Sequence, residues 1–150
     1  MRRTGESTDV GREEPIRVVL AEDHAEFRLG LKEMLATDGG IEVVGEAENG
    51  ARAVALAREV RPDVVALDLV MPVMEGREAL GLILREVSPP PGIVILTMCD
   101  QPHLRRELMR MGASAFLAKS ASLAEVIGAV KGSRPKRTPR EDSGDALPAS

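Results

Sequence analysis

The sequence predicts an α/β fold, a doubly wound (βα)5 three-layer sandwich whose parallel sheet has the strand order 2-1-3-4-5. Three observations carry this. Five short apolar runs alternate strictly with five stretches of helical spacing. The run Val64 to Leu67 is apolar at every position, as a strand buried on both faces is. Four of the runs end in chemically capable side chains: Glu22-Asp23, Asp68, Thr97 and Lys119. Open α/β sheets bind ligands beyond the carboxyl ends of their strands, and this order sets strands one and three side by side. Glu22, Asp23 and Asp68 are thereby expected in one crevice.

Residues 1–14 are polar, without periodicity, and are expected to be a disordered N-terminal tail. The folded unit is expected over residues 15–132, starting at Pro15. Strand β1 is Ile16 to Ala21. In helix α1, Phe27, Leu31, Met34 and Leu35 fall at i, i+4, i+7 and i+8 on one face. Asp38-Gly39-Gly40 is expected to stop it, because glycine accepts the left-handed backbone of a helix end. Strand β2 is Ile41 to Ala47, and Asn49-Gly50 turns the chain. Helix α2, Ala51 to Val60, points Ala53, Val54 and Ala57 inward. Strand β3, Val64 to Leu67, delivers Asp68, and Pro72 and Gly76 punctuate the turn beyond it. Helix α3, Arg77 to Val87, buries Leu80, Ile83 and Leu84. Ser88-Pro89-Pro90-Pro91-Gly92 cannot be helical. Strand β4 is Ile93 to Thr97. Helix α4, Gln101 to Met111, has Leu104, Leu108 and Met111 at i, i+4 and i+7 and ends at Gly112. Strand β5 is Ala115 to Ala118. Helix α5 opens with a capping box, Ser122 and Glu125, and lines Leu123, Ile127 and Val130 along one face. No helical period follows Val130, and residues 133–150 are expected to be a disordered C-terminal tail or linker remnant.

The bulk numbers narrow the function. A length of 150 residues fits one domain with tails. Aromatics are 1%, Phe27 and Phe116 alone, so the core is aliphatic and aromatic platforms for base stacking are lacking. A net charge of −4 and a pI of about 5.3 argue against nucleic acid as a partner of this chain. The basic stretch Lys131 to Arg140 reads as a solvated linker; weak phosphate contact is the alternative, and Glu141-Asp142 argues against it. One cysteine, Cys99, excludes an intrachain disulfide, fits a reducing cytoplasm, and reads as a small buried or semi-buried side chain. No apolar run approaches the ~20 residues of a membrane span. The N-terminus lacks the apolar segment of a secretory signal, so the expected location is cytoplasmic. His24 and His103 lack metal-ligand spacing and read as solvated.

Three carboxylates at one sheet mouth need a counterion. Two like charges about 4 Å apart repel by roughly 4 kcal/mol at an effective dielectric near 20. A hard dication resolves this, and Mg2+ suits a few carboxylates with waters and a phosphate. Lys119 adds positive charge and Thr97 a hydroxyl. Such a site can take a phosphoryl group covalently on one carboxylate.

These residues, with Asp68-Leu69-Val70-Met71-Pro72-Val73-Met74-Glu75-Gly76 and Gly112-Ala113-Ser114-Ala115-Phe116-Leu117-Ala118-Lys119, stand in the order and spacing of a known family. From Ile16 to Val130 the chain resembles a response-regulator receiver domain, the phospho-acceptor part of two-component systems, with its flavodoxin-like fold. The resemblance implies that Asp68 is the phospho-acceptor. It implies that Asp23 binds Mg2+ directly, Glu22 mainly through water, and that Asp68 and the Val70 backbone carbonyl complete the ligands. Thr97 and Lys119 would bond the phosphoryl oxygens. Thr97 and Phe116 would form the switch that remodels the α4-β5-α5 face, a population shift between two packings. The implied partners are a sensor histidine kinase or phosphotransfer protein, and an output partner or a second copy on that face. The protein would be a self-phosphorylating acceptor and not a turnover enzyme.

Ala21-Glu22-Asp23-His24, Gly45-Glu46-Ala47 and Leu96-Thr97-Met98 resemble the NarL-type subgroup, whose receivers usually precede a LuxR-type helix-turn-helix. Nothing after Val130 could form one, so the expectation is a stand-alone receiver or the receiver half of a DNA-binding regulator. Many receivers carry a cis proline after the lysine; here Ser120 follows Lys119, and a cis bond without proline costs about 2.5–4 kcal/mol. Val70 and Cys99, two residues past Asp68 and Thr97, are poor at orienting water, which predicts slow loss of the phosphoryl group. Phe116 alone could be plain core filler. A haloacid-dehalogenase-type phosphatase would need an acid where Val70 stands. A flavodoxin-like cofactor binder would need a hydroxyl- and glycine-rich loop where Glu22-Asp23-His24-Ala25-Glu26 stands.

Overall fold

A computed structural model of the chain describes residues 14–98 and 101–135. The elements are β1 (Ile16–Ala21), α1 (Ala25–Ala36), β2 (Ile41–Ala47), α2 (Gly50–Val60), β3 (Val64–Asp68), α3 (Gly76–Glu86), β4 (Gly92–Thr97), α4 (Pro102–Met111), β5 (Ala115–Ala118) and α5 (Leu123–Ser133). All strand pairs are parallel, in the order β2-β1-β3-β4-β5. The doubly wound α/β prediction is thus met. The strict alternation explains it, since a parallel neighbour requires a crossover and helices are the compact crossover.

Alternation along the strands splits the core in two. Val19, Ala21, Val65, Leu67, Ile93 and Ile95 pack with residues of α2, α3 and α4 on one face. Val18, Leu20, Val64, Ala66, Val94 and Leu96 pack with α1 and α5 on the other. Strand β3 is buried throughout, as its unbroken apolar run requires. Phe116 is buried among the α2–α3–α4 residues.

Several local expectations need correcting. Helix α1 ends at Thr37 in right-handed geometry, and neither Gly39 nor Gly40 has a positive φ. Side chains make this stop: the Thr37 hydroxyl donates to the Met34 carbonyl, and the Asp38 carboxylate accepts the Gly40 N–H. Met34 and Met111, spaced with the leucines of their helices, are exposed. In α5 the buried residues are Val126 and Val130, while Leu123 and Ile127 are only part-buried. The helix also continues past Val130 to Ser133. Gly92 permits this, because a Cβ there would fall 1.9 Å from the Ser133 carbonyl oxygen. The capping box of Ser122 and Glu125 is present, and Gly112 ends α4 at φ 121°.

The amino end of the sheet is laced by polar bonds. Arg17 N–H donates to Asp63 Oδ2 at 2.9 Å, and Asp63 N–H donates back to the Arg17 carbonyl at 2.8 Å. Arg17 Nη1 donates to the Arg61 carbonyl, Arg61 Nη1 to the Ser88 carbonyl, and Gly92 N–H to the Asp63 carbonyl. Arg61 closes α2 with φ 49°, a left-handed turn no glycine announced. Most of both expected tails, and Cys99, lie outside the described residues. No helix among the described residues is long and apolar enough to cross a membrane.

Candidate functional site

The carboxyl ends of β1 and β3 are adjacent because Val18 to Ala21 pair in register with Val64 to Leu67. The next residues, Glu22 and Asp68, therefore emerge side by side. Lys119, one residue past β5, reaches across both. Its Nζ lies 2.8 Å from Glu22 Oε1 and 3.1 Å from Asp68 Oδ2. The β4–β5 pairing of Thr97 with Ala118, closed by Lys119 N–H donating to the Thr97 carbonyl, fixes that reach. Thr97 is fully buried at the tip of β4. Lys119 thus meets Glu22 and Asp68 directly, and Thr97 stands at the neighbouring strand tip, joined to Lys119 through the backbone.

Burial sets the charges against one another. Burial pushes Asp68 above the ordinary carboxylate range, and the Glu22 charge adds to the push; the Lys119 ammonium and the Val70 N–H oppose it without prevailing. Burial also works to raise Glu22. There the bonds from Lys119 and from the His24 backbone and ring win, holding it below its usual value. Lys119 loses some basicity to burial but gains more from its two carboxylates, so it is held fully charged. Its Nζ also sits 4.9 Å from the centre of the Phe27 ring.

Asp23 is arranged differently. Among the described residues its Oδ1 is buried without a hydrogen-bond partner. An orphaned buried carboxylate oxygen is costly unless a cation meets it. The possible ligand atoms of Asp23 gather with those of Glu22 and His24 within 4.8 Å, a group that does not include Asp68, and the two carboxylates offer hard oxygens, which fits a hard dication. Val70 turns its side chain to solvent, at 66% exposure, while its N–H donates to Asp68 Oδ1 at 3.4 Å. The β3–α3 turn is tight: a Cβ on Gly76 would lie 2.1 Å from the Asp68 carbonyl oxygen. Val73 in the same turn has φ 69°, a strained position for a β-branched residue. Among the described residues the cis peptide is Ser88–Pro89, so Lys119–Ser120 is trans.

The family model for the response regulator receiver domain matches residues 18–131. The chain belongs to that family. The receiver is 38% identical over 116 residues to response regulator GacA of Pseudomonas aeruginosa, covering 77% of this chain and 54% of that protein. It is 40% identical over 116 residues to the transcriptional regulatory protein LiaR of Bacillus subtilis, with the same coverage. The chain spans about half the length of the curated relatives it matches. The response regulator domain of Thermotoga maritima CheB superposes with a TM-score of 0.74 at 29% identity, covering 80% of this chain and 96% of that one.

Sequence reasoning missed three contributors to the receiver's site. His24, read as solvated, is 72% exposed at its side chain, yet its Nδ1 lies 3.0 Å from Glu22 Oε2 and its backbone N–H donates to the same oxygen. Arg28 donates to the Glu22 carbonyl at 2.6 Å and to Glu46, anchoring the acid loop on α1. Arg105 donates to the Phe116 carbonyl and stacks 4.9 Å from its ring centre. A charged residue on an amphipathic helix looks the same in sequence whether it faces water or a neighbour. Nothing in the sequence signalled Arg28 or Arg105, and His24 stood out only as the last residue of Ala21-Glu22-Asp23-His24, without a role.

Proposed function

We propose that Asp68 accepts a phosphoryl group from a phosphohistidine on a sensor kinase or phosphotransfer protein. The observation that carries this reading is Lys119 bridging Glu22 and Asp68 at the sheet mouth. A carboxylate oxygen of Asp68 attacks phosphorus in line, and the histidine nitrogen leaves. Lys119 neutralises the incoming oxygens, and the buried Thr97 hydroxyl is their second partner. Asp23, Glu22, Asp68 and the Val70 carbonyl would hold Mg2+ in this reading, and the ion would supply charge neutralisation for the phosphoryl oxygens. The reaction ends on the protein's own side chain, so the chain is an acceptor and not a turnover enzyme.

Thr97 and Phe116 form the switch in this reading. Phe116 is buried beneath Arg105 of α4, so a move of its ring would alter the α4-β5-α5 surface. That surface would meet an output partner or a second copy. The receiver unit is assigned to residues 15–132, acting in the cytoplasm where a kinase donor would find it. A second reading makes the chain the regulatory half of a DNA-binding regulator; it is supported by LiaR's designation as a transcriptional regulatory protein and by the half-length match.

Incubation with acetyl phosphate and Mg2+, followed by intact mass, tests the acceptor. One phosphoryl increment on the wild type and none on Asp68→Asn is expected. Undiminished labelling of the variant would move the acceptor elsewhere.

A further inference from the structure

Among the described residues, Glu22, Asp23 and His24 form a group whose possible ligand atoms all lie within 4.8 Å of one another. The receiver reading uses the two acids and leaves the imidazole idle. From their geometry we infer that His24 is a nitrogen ligand, so that the same mouth also takes a borderline dication of the Zn2+ class in competition with Mg2+.

The distances fit coordination at one centre. His24 Nδ1 lies 3.0 Å from Glu22 Oε2 and 3.5 Å from Asp23 Oδ1. A dication bonded at about 2.0–2.2 Å separates adjacent donors by about 3.0 Å in an octahedron and about 3.4 Å in a tetrahedron. Both separations lie within about 0.5 Å of an octahedral edge. The ring is already aimed, because Nδ1 and the His24 backbone N–H both face Glu22 Oε2. Asp23 Oδ1 supplies the unsatisfied buried oxygen that calls for a cation. Lys119 engages the other Glu22 oxygen, Oε1, and leaves Oε2 on the His24 side.

The donor chemistry sets the selectivity. Mg2+ prefers oxygen and keeps its waters, so an imidazole adds little for it. Zn2+ takes histidine nitrogen and carboxylate oxygen readily, in sites that keep a position open for water. Bound through Glu22, Asp23 and His24, it would take two acids away from the ion used in phospho-acceptance. The receiver would then respond to transition-metal level as well as to its kinase.

The inference rests on the metal-binding part of the receiver reading, and one titration series separates the two. Zn2+ and Mg2+ affinities are measured by calorimetry on the full chain for the wild type, His24→Ala, His103→Ala and Asp23→Ala, with the His24 ring nitrogen followed by NMR. His24→Ala should lower the ratio of Zn2+ to Mg2+ affinity at least about tenfold, since even groups that only orient a ligand are worth 10–100-fold. His103→Ala, which removes the other histidine, should not change that ratio. The Nδ1 resonance of the wild type should shift on Zn2+ addition. A ratio within about twofold of wild type in His24→Ala overturns the inference while Mg2+ binding stands. If Asp23→Ala leaves Mg2+ affinity unchanged, the receiver's metal reading is what fails.

Discussion

Replacing Lys119 by methionine keeps most of the volume and removes the charge that Glu22 and Asp68 share. Lys119 is nearly buried, with contacts of 2.8 and 3.1 Å to the two carboxylates. Removing one partner of a buried ion pair costs about 3–5 kcal/mol when the remaining charge is left uncompensated. A stranded carboxyl can escape that cost by taking a proton, so the loss depends on pH. Wild-type Glu22, held low despite burial, contributes stability that is present above its unfolded pKa and lost as pH falls through its folded value. Asp68, pushed up by burial and by Glu22, contributes stability present below its unfolded pKa and lost as pH rises through its folded value. Without Lys119 both acids are pushed up, so the variant weakens steadily as pH rises. Urea unfolding with EDTA present should show a gap to wild type of about 3–5 kcal/mol at pH 7, shrinking to about 1 kcal/mol or less at pH 4. Equal losses at both pH values would refute the reasoning and leave the packing of the lysine stem against Phe27 as the whole effect.

Three shorter tests follow from the same mouth. Val73→Asn should raise stability by about 1 kcal/mol in urea unfolding, because asparagine tolerates the left-handed backbone that strains a β-branched residue. Gly76→Ala should cost about 3 kcal/mol or more and slow acetyl phosphate labelling, since its Cβ would overlap the Asp68 carbonyl. Phosphorylated protein without a phosphatase should decay over minutes or longer, given an apolar, solvent-facing Val70 beside the acceptor; loss within seconds would contradict it.

The strand tips were legible because short apolar runs ending in Asp68, Thr97 and Lys119 leave little freedom in where those groups can sit. Alternating elements fixed the neighbours of β1 and β3, and so the meeting of Glu22 with Asp68. The helices were less legible. In α5, Leu123, Val126, Ile127, Ala129 and Val130 are apolar around much of the circumference, so spacing could not choose the buried face. Helix ends failed where side chains did the capping, as Thr37 and Asp38 did in place of Gly39 and Gly40. The positive φ values of Arg61 and Val73 come from what surrounds them and carry no local sequence mark. His24 escaped notice because its role depends on a rotamer aimed at Glu22, which spacing cannot show.

The lacework of Arg17, Asp63, Arg61 and Ser88 has a mechanical meaning. It pins the rim of the sheet opposite the acids, so a disturbance begun at Asp68 meets an anchored far side. If Asp68 takes a phosphoryl group as proposed, the change would start at the rim that lacks this lacework.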